Sequence, residues 1–203
     1  MALATLLLLP SPAAASRVQA RDLRQMVAAA GTIFAGVVTA VEPDRVRGLP
    51  ATRVTFLVEE GLRGAPADHI ELLFPGGVQS NGFPYRISGL SRFSPGDRVV
   101  LLTYPASRLG LTSPVGLYQG RFDIRPGPGG VSMVVAGGPR PANLVDPDSP
   151  AARRAAMTPA RLSAATPGNG PAGPVASPPS RATARSFVYG DFMDELRRLV
   201  HEQ

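Results

Sequence analysis

The chain has only two imidazoles, His69 and His201, and no cysteine. The lack of cysteine removes thiol nucleophiles, disulfides and thiolate metal sites together. His69 opens an apolar run and His201 lies in a charged C-terminal stretch. A general base or a metal ligand needs a partner group beside it, and an isolated imidazole at a strand edge is ordinarily a surface residue. The adjacent carboxylates Glu59-Glu60 close a strand-like run, and Asp146-Pro147-Asp148 sits in a proline-rich stretch. Neither pair has the convergent neighbours that hold a cation. Ser88-Gly89-Leu90-Ser91 lacks the glycine spacing of a nucleophile elbow, and no zincin, P-loop or dinucleotide fingerprint occurs. Gly127 to Gly130 is interrupted by Pro128 and reads as a turn rather than a phosphate cradle. These residues assign no catalytic group, metal ligand or cofactor, and the chain reads as a non-enzyme.

A different chemistry, that of contact surfaces, gathers in the loop from Gly77 to Arg92. It carries Phe83, Tyr85, Arg86 and Arg92 among small polar residues, Gln79, Ser80 and Asn81. Aromatic and arginine side chains dominate binding hot spots, and loops on a rigid scaffold commonly carry function. The competing reading tucks Phe83 and Tyr85 back to plug the domain. A second candidate is the C-terminal stretch, where Phe192, Met193, Leu196, Leu199 and Val200 fall on one helical face. Phe192, Leu196 and Leu199 either hold a partner or dock on the chain's own domain. A lone helix of this length is marginal in water, so its apolar face needs cover. Self-docking is favoured because a tethered segment searches its own domain at high effective concentration.

The elements that must position these residues are mostly strands. Ser16 to Ala30 is predicted as a short amphipathic helix through Val18, Leu23, Met26, Val27 and Ala30, with Gly31 as its stop. Thr32 to Glu42 is apolar at both parities, as in a strand covered on both faces, and Glu42-Pro43-Asp44 is expected to end it. Thr52 to Glu60 alternates, with Val54, Phe56 and Val58 on one face. Gly61 to Ala67 reads as a turn, and His69 to Phe74 as a third strand stopped by Pro75-Gly76-Gly77. Ser94-Pro95-Gly96-Asp97 has the pattern of a type II turn, with strand residues from Arg98 to Tyr104 after it. Gly116 to Arg125 is a further strand, with Gln119, Arg121 and Asp123 expected outward, and Val131 to Ala136 completes a hairpin. Residues 139–186, rich in Pro, Ala, Ser, Gly and Arg, are expected to form a disordered linker. In the C-terminal helix Asp191 is the expected cap, while Arg197, Arg198 and His201 favour the negative end of the dipole.

Composition sets the class and the compartment. Apolar residues make up 44% of the chain, enough for a core, but aromatics only 6% with no tryptophan, so Val, Leu, Ile and Phe must fill it. The net charge is +6, and all 21 basic residues are arginine, the bias of a GC-rich coding sequence more than of an anion-binding stripe. The arginines are scattered among acids, so a specific nucleic-acid role is not expected. Leu3 to Leu9 is too short to span a bilayer and is followed by Ala13-Ala14-Ala15, an A-x-A cleavage pattern before Ser16. Only Met1-Ala2 precede it, so the basic n-region of a leader is missing. The apolar run and the A-x-A pattern together still favour residues 1–15 as a signal peptide and a periplasmic or extracellular mature protein. No other segment is apolar enough to span a membrane.

Four short runs carry a resemblance. They are Ile33-Phe34-Ala35-Gly36-Val37-Val38, Val54 to Gly64, Phe93 to Leu102 with its Ser94-Pro95-Gly96-Asp97 turn, and Gly120-Arg121-Phe122. Together they resemble a poorly characterised group of exported bacterial β-domain proteins and, more distantly, the netrin-like domains that include the tissue inhibitors of metalloproteinases. The resemblance spans about residues 33–124 and implies a five-stranded Greek-key barrel of OB type. Those inhibitors ligate the protease zinc through a processed N-terminal cysteine. This chain has none and would begin at Ser16, so the inhibitory mechanism does not carry over, nor does fold similarity alone license a function.

The expected architecture is therefore mainly β. A small antiparallel OB-like barrel with a short N-terminal helix occupies 16–138, a linker 139–186, and an amphipathic helix 187–203. The expected function is that of an exported binding or accessory module for another exported or envelope protein. The alternative is a domain that binds a polyanion or oligosaccharide.

Overall fold

The computed structural model describes residues 19–65, 68–79, 82–137, 144–157 and 186–203. The expected leader, Ser16, Val18, Ser80, Asn81 and most of the expected linker lie outside these residues. The first element, α1 (Leu23–Ala29), begins later than its apolar spacing predicts. Asp22 sets the start: its carboxylate accepts the Gln25 N–H at 2.7 Å, and the Gln25 side chain accepts the Asp22 N–H at 3.2 Å. This reciprocal cap satisfies two donors that a helix start otherwise leaves unpaired.

Strands follow in the order β1 (Thr32–Val46), β2 (Leu49–Arg63), β3 (His69–Pro75), β4 (Gly77–Val78), β5 (Pro84–Tyr85), β6 (Arg98–Thr103), β7 (Arg121–Pro126) and β8 (Ser132–Ala136). Then come α2 (Pro150–Met157), β9 (Ser186–Val188) and α3 (Tyr189–His201). Seven strands form one antiparallel sheet with neighbours β3-β2-β1-β6-β7-β8-β9, while β4 and β5 make a separate ribbon. The mainly antiparallel β expectation therefore holds.

The sheet is open. Beyond β6 it continues through β7, β8 and β9 instead of returning to β3, and no ladder among the described residues joins the two edges. Isolated bridges join Leu73 of β3 to Leu111 and Thr103 of β6 to Pro114, both in the loop after β6, with the Thr112 N–H on the Leu73 carbonyl at 2.8 Å.

Several strand ends differ from expectation for local reasons. β1 does not stop at Pro43 but pairs with β2 as far as Val46. β6 pairs with β1 only up to Val37, so the missing N–H of Pro43 costs no ladder bond on that side. β2 likewise runs through Gly61 to Arg63. The last strand before the β7–β8 hairpin starts at Arg121 and not at Gly116, because residues 115–120 turn and Leu117 sits at φ 66°. Gln119 is fully buried rather than outward, accepting the Arg21 N–H at 2.8 Å and donating to the Gln19 carbonyl at 2.9 Å. The turn at Ser94 to Asp97 is as predicted, with Gly96 at φ 90° and the Asp97 N–H on the Ser94 carbonyl at 3.0 Å.

Within the expected linker, Leu144 and Val145 are buried, the Leu23 N–H donates to the Leu144 carbonyl at 2.8 Å, and α2 follows. The C-terminal helix is introduced by β9 pairing with β8, and its cap is Val188 without a side-chain bond, not Asp191. Asp191 lies in the first turn and pairs with Arg154 at 2.7 Å.

The two-faced apolar pattern of β1 and β6 builds two cores. Ile33, Ala35, Val100 and Leu102 face one side, which α1, α3 and Leu144 cover together with Phe122, Val134, Phe187, Phe192 and Leu196. Phe34, Val38, Val99 and Leu101 face the other, where β2 and β3 curl over with Val54, Phe56 and Phe74. Phe93 joins this second core, its ring 5.4 Å from Phe56 and 4.9 Å from Phe74. Such ring pairs add roughly 0.5–1.5 kcal/mol each beyond the area they bury. Gly36, from the first resembling run, lies against the Leu57 carbonyl with no room for a Cβ, next to an irregularity in the β1–β2 register.

Candidate functional site

The candidate surface is one end of the molecule, built by two neighbouring tips. β1 and β2 are joined by the two residues between the paired Val46 and Leu49, with Arg47 at φ 49° and Gly48 at φ 82°. Positive φ at both centres is the turn that matches strand twist, and it leaves Arg47 and Leu49 at the extremity. The chain leaving β3 bends against this hairpin. The Gly76 N–H donates to the Pro50 carbonyl at 3.0 Å, and the Thr52 hydroxyl donates to the Gly76 carbonyl at 2.9 Å. Arg45 reaches the Val78 carbonyl at 3.4 Å. A Cβ on Gly77 would stand 2.7 Å from the Ala51 carbonyl, so a glycine is required where the ribbon leaves the sheet. The ribbon then folds on itself through Gly77–Tyr85 and Val78–Pro84, with the Gln79 N–H on the Phe83 carbonyl at 2.9 Å.

Phe83 and Tyr85 do not plug the domain. They are 68% and 47% exposed, beside Leu49 at 53% and Val78 at 48%. The plug is Phe93, which Arg121 covers from 4.9 Å. Arg86 is exposed on the ribbon side, whereas Arg92 belongs to the Phe93 anchor, its carbonyl accepting from Arg121. The structure thus brings Phe83, Tyr85 and Arg86 together and places Arg92 elsewhere. Phe192, Leu196 and Leu199 are buried against the sheet and are not a free surface. The residues sequence reasoning passed over are Arg45, Arg47, Leu49 and Val78. Their signal was available: Val46 and Leu49 flank a glycine-containing pair, the spacing of a tight hairpin.

Charge at this end is one-sided. Arg53 is held by Asp44 at 2.5 Å and Glu71 at 2.7 Å. The Arg45 backbone N–H, then the Arg53 guanidinium, hold the Asp44 carboxyl below its usual range, and Glu71 and Asp44 raise Arg53. No acidic residue occurs from Arg45 to Val58 or from Pro75 to Gly96. Arg45, Arg47 and Arg86 accordingly have no carboxylate partner among the described residues. The exposed Glu42 lies further back along β1.

Elsewhere the molecule offers less. A cleft of about 230 Å³ lies between α1, α3 and Asp146, and its buried Glu195 is bound by Arg198 at 2.6 and 3.1 Å. Another of about 210 Å³ lies between β3 and the 104–112 loop. Both fall below the roughly 300–1,000 Å³ of most small-molecule sites. His69 and His201 are exposed on β3 and α3. Among the described residues no three His, Asp or Glu side chains converge on a cation position. No helix among them is long and apolar enough to cross a membrane. No family model, curated protein or solved structure matches the chain.

Proposed function

We propose that this protein is a non-enzymatic binding or accessory module acting outside the cytoplasm, with the β4–β5 ribbon and the β1–β2 hairpin tip as its contact surface. The observation that carries this reading is the fate of Phe83. Of the eight phenylalanines in the chain, it alone stands exposed. Packing the others while presenting this one, on a ribbon fixed by hydrogen bonds at its base, is what a contact surface requires. Export is supported by the Leu3–Leu9 run and the Ala13-Ala14-Ala15 pattern. For an OB-like barrel the support is the bridge from Leu73 of β3 to Leu111 in the loop after β6.

A photo-crosslinking residue at position 83 tests the reading, with the same residue at Val131, exposed on the β7–β8 turn, as reference. In envelope fractions of source cells, position 83 is expected to give an adduct, to protein or to lipid, and position 131 none. Equal labelling from both positions overturns the assignment. A second reading, binding of a polyanion or oligosaccharide, draws on Arg45, Arg47 and Arg86, which form no salt bridge among the described residues. It expects salt-sensitive retention on an anionic polysaccharide that Arg86→Ala and Tyr85→Ala both weaken.

A further inference from the structure

Resting on that choice of contact surface, we infer that its partner is an anionic phospholipid bilayer, into whose interfacial zone the ribbon and hairpin tip insert. The argument begins with shape. Cross-strand neighbours in a ribbon share a face, so Tyr85 and Gly77 point one way and Val78 and Pro84 the other. Phe83 stands immediately before β5 and is the most exposed of these side chains. The ribbon is therefore apolar on both sides, with Phe83, Tyr85 and Val78 all exposed. A soft, penetrable medium covers both faces of a protruding ribbon at once, as a flat protein surface does not. Neither of the two clefts described above borders these residues.

Charge and residue type point the same way. Arg45 precedes the hairpin turn, Arg47 lies in it next to the exposed Leu49, and Arg86 follows the ribbon. Long arginine stems let guanidinium groups sit at the phosphate level while neighbouring apolar groups go deeper. Tyrosine is itself favoured at the membrane–water interface. The nearest carboxylate on the hairpin, Asp44, is occupied by Arg53, and Glu42 stands three residues before Arg45, about 10 Å back along the strand. A soluble polyanion would satisfy the arginines but leave Leu49 and Val78 without a role.

The chain has no tryptophan, so Phe83→Trp in the full chain introduces a single fluorophore at the site in question. Its emission reports on position 83 and is insensitive to whether the apolar Leu3–Leu9 run also touches lipid. With phosphatidylglycerol-containing vesicles the emission is expected to shift to the blue. The shift is expected to be lost with pure phosphatidylcholine and to need about fivefold more anionic lipid for each of Arg47→Ala and Arg86→Ala. Leu49→Ser in the same background should weaken it further. Unshifted emission on vesicles that nonetheless carry the protein overturns the inference. So does a shift produced by heparin or glycerol phosphate alone, which assigns the arginines to a soluble anion. If position 83 crosslinks to a protein in cells while the tryptophan never responds to lipid, the contact surface stands and the bilayer does not.

Discussion

The ribbon at 77–86 and the C-terminal segment at 186–203 are both short, amphipathic additions to the sheet, yet they meet opposite ends. The segment lays β9 along β8 and buries Phe187, Phe192, Met193, Leu196 and Leu199. The ribbon leaves Phe83, Tyr85 and Val78 in water. The difference is the continuity of the apolar face. A 13-residue helix carries a full stripe that a sheet face can cover, with Glu60 holding Arg197 at 2.5 Å and accepting the Tyr189 hydroxyl at 3.5 Å beside it. A ribbon two residues wide is too narrow to bury anything, and its apolar groups alternate between faces. An amphipathic segment on a tether thus completes its own domain when its stripe fits, and a presented aromatic needs a scaffold too small to fold it inward.

Ending the chain before Ser186 should break the comparison most severely. Five large side chains worth roughly 1.5–3 kcal/mol each would be lost, comparable with the whole stability of a domain. Calorimetry is expected to show no cooperative transition, and a hydrophobic dye should bind. Phe192→Ala keeps the segment but empties the contact with Phe122, whose ring centroid lies 4.8 Å away. A loss of about 3–5 kcal/mol in denaturant unfolding is expected. The Glu60–Arg197 pair is worth less, since the arginine side chain is 43% exposed. A double-mutant cycle with Glu60→Gln and Arg197→Ala should return a coupling below about 1 kcal/mol.

The pH response should be mild at both extremes. Asp44 and Glu202 have carboxyls held below 3.8 and 4.5, Asp44 chiefly by the Arg45 backbone N–H and Glu202 by Arg24. Their contribution is complete above those values and is lost as pH falls through the lower folded ones. Burial and the charges of Glu60 and Glu59 push Tyr189 above 10.0. Its contribution is complete below 10.0 and lost as pH rises past it, so Tyr189→Phe should flatten the alkaline limb of a stability profile. On the ribbon, Phe83→Ala is expected to move stability by less than about 0.5 kcal/mol while weakening co-sedimentation with phosphatidylglycerol-containing vesicles. A large destabilisation would instead mean that Phe83 is packed, and the contrast between the two regions would disappear.

Much of the fold could be read from local pattern. Apolar residues at both parities in Thr32 to Glu42 marked a strand with two covered faces, and β1 divides its side chains between two cores. The alternation of Val54, Phe56 and Val58 and the turn at Ser94 to Asp97 were equally plain. The site was half legible. Phe83, Tyr85 and Arg86 stood out by type, but Leu49, Val78, Arg45 and Arg47 became neighbours only through the bend at Gly76-Gly77. Leu144 and Val145 were missed because two apolar residues amid proline and alanine carry no period, and their burial depends on α1 lying beside them.

By itself, the sequence determined the central strands β1, β2, β3, β6 and β8, the turn at Ser94 to Asp97 and the amphipathic C-terminal helix, because backbone sterics and side-chain periodicity act within a few residues. It determined the absence of thiol chemistry in the same direct way. Only the tertiary structure decided that the sheet stays open, that the helix covers its own sheet, and that Phe93 goes inward while Phe83 stays out. Those outcomes turn on which apolar surfaces meet across sequence separations of tens of residues. A buried aromatic and a presented one look alike until the rest of the chain has taken its place.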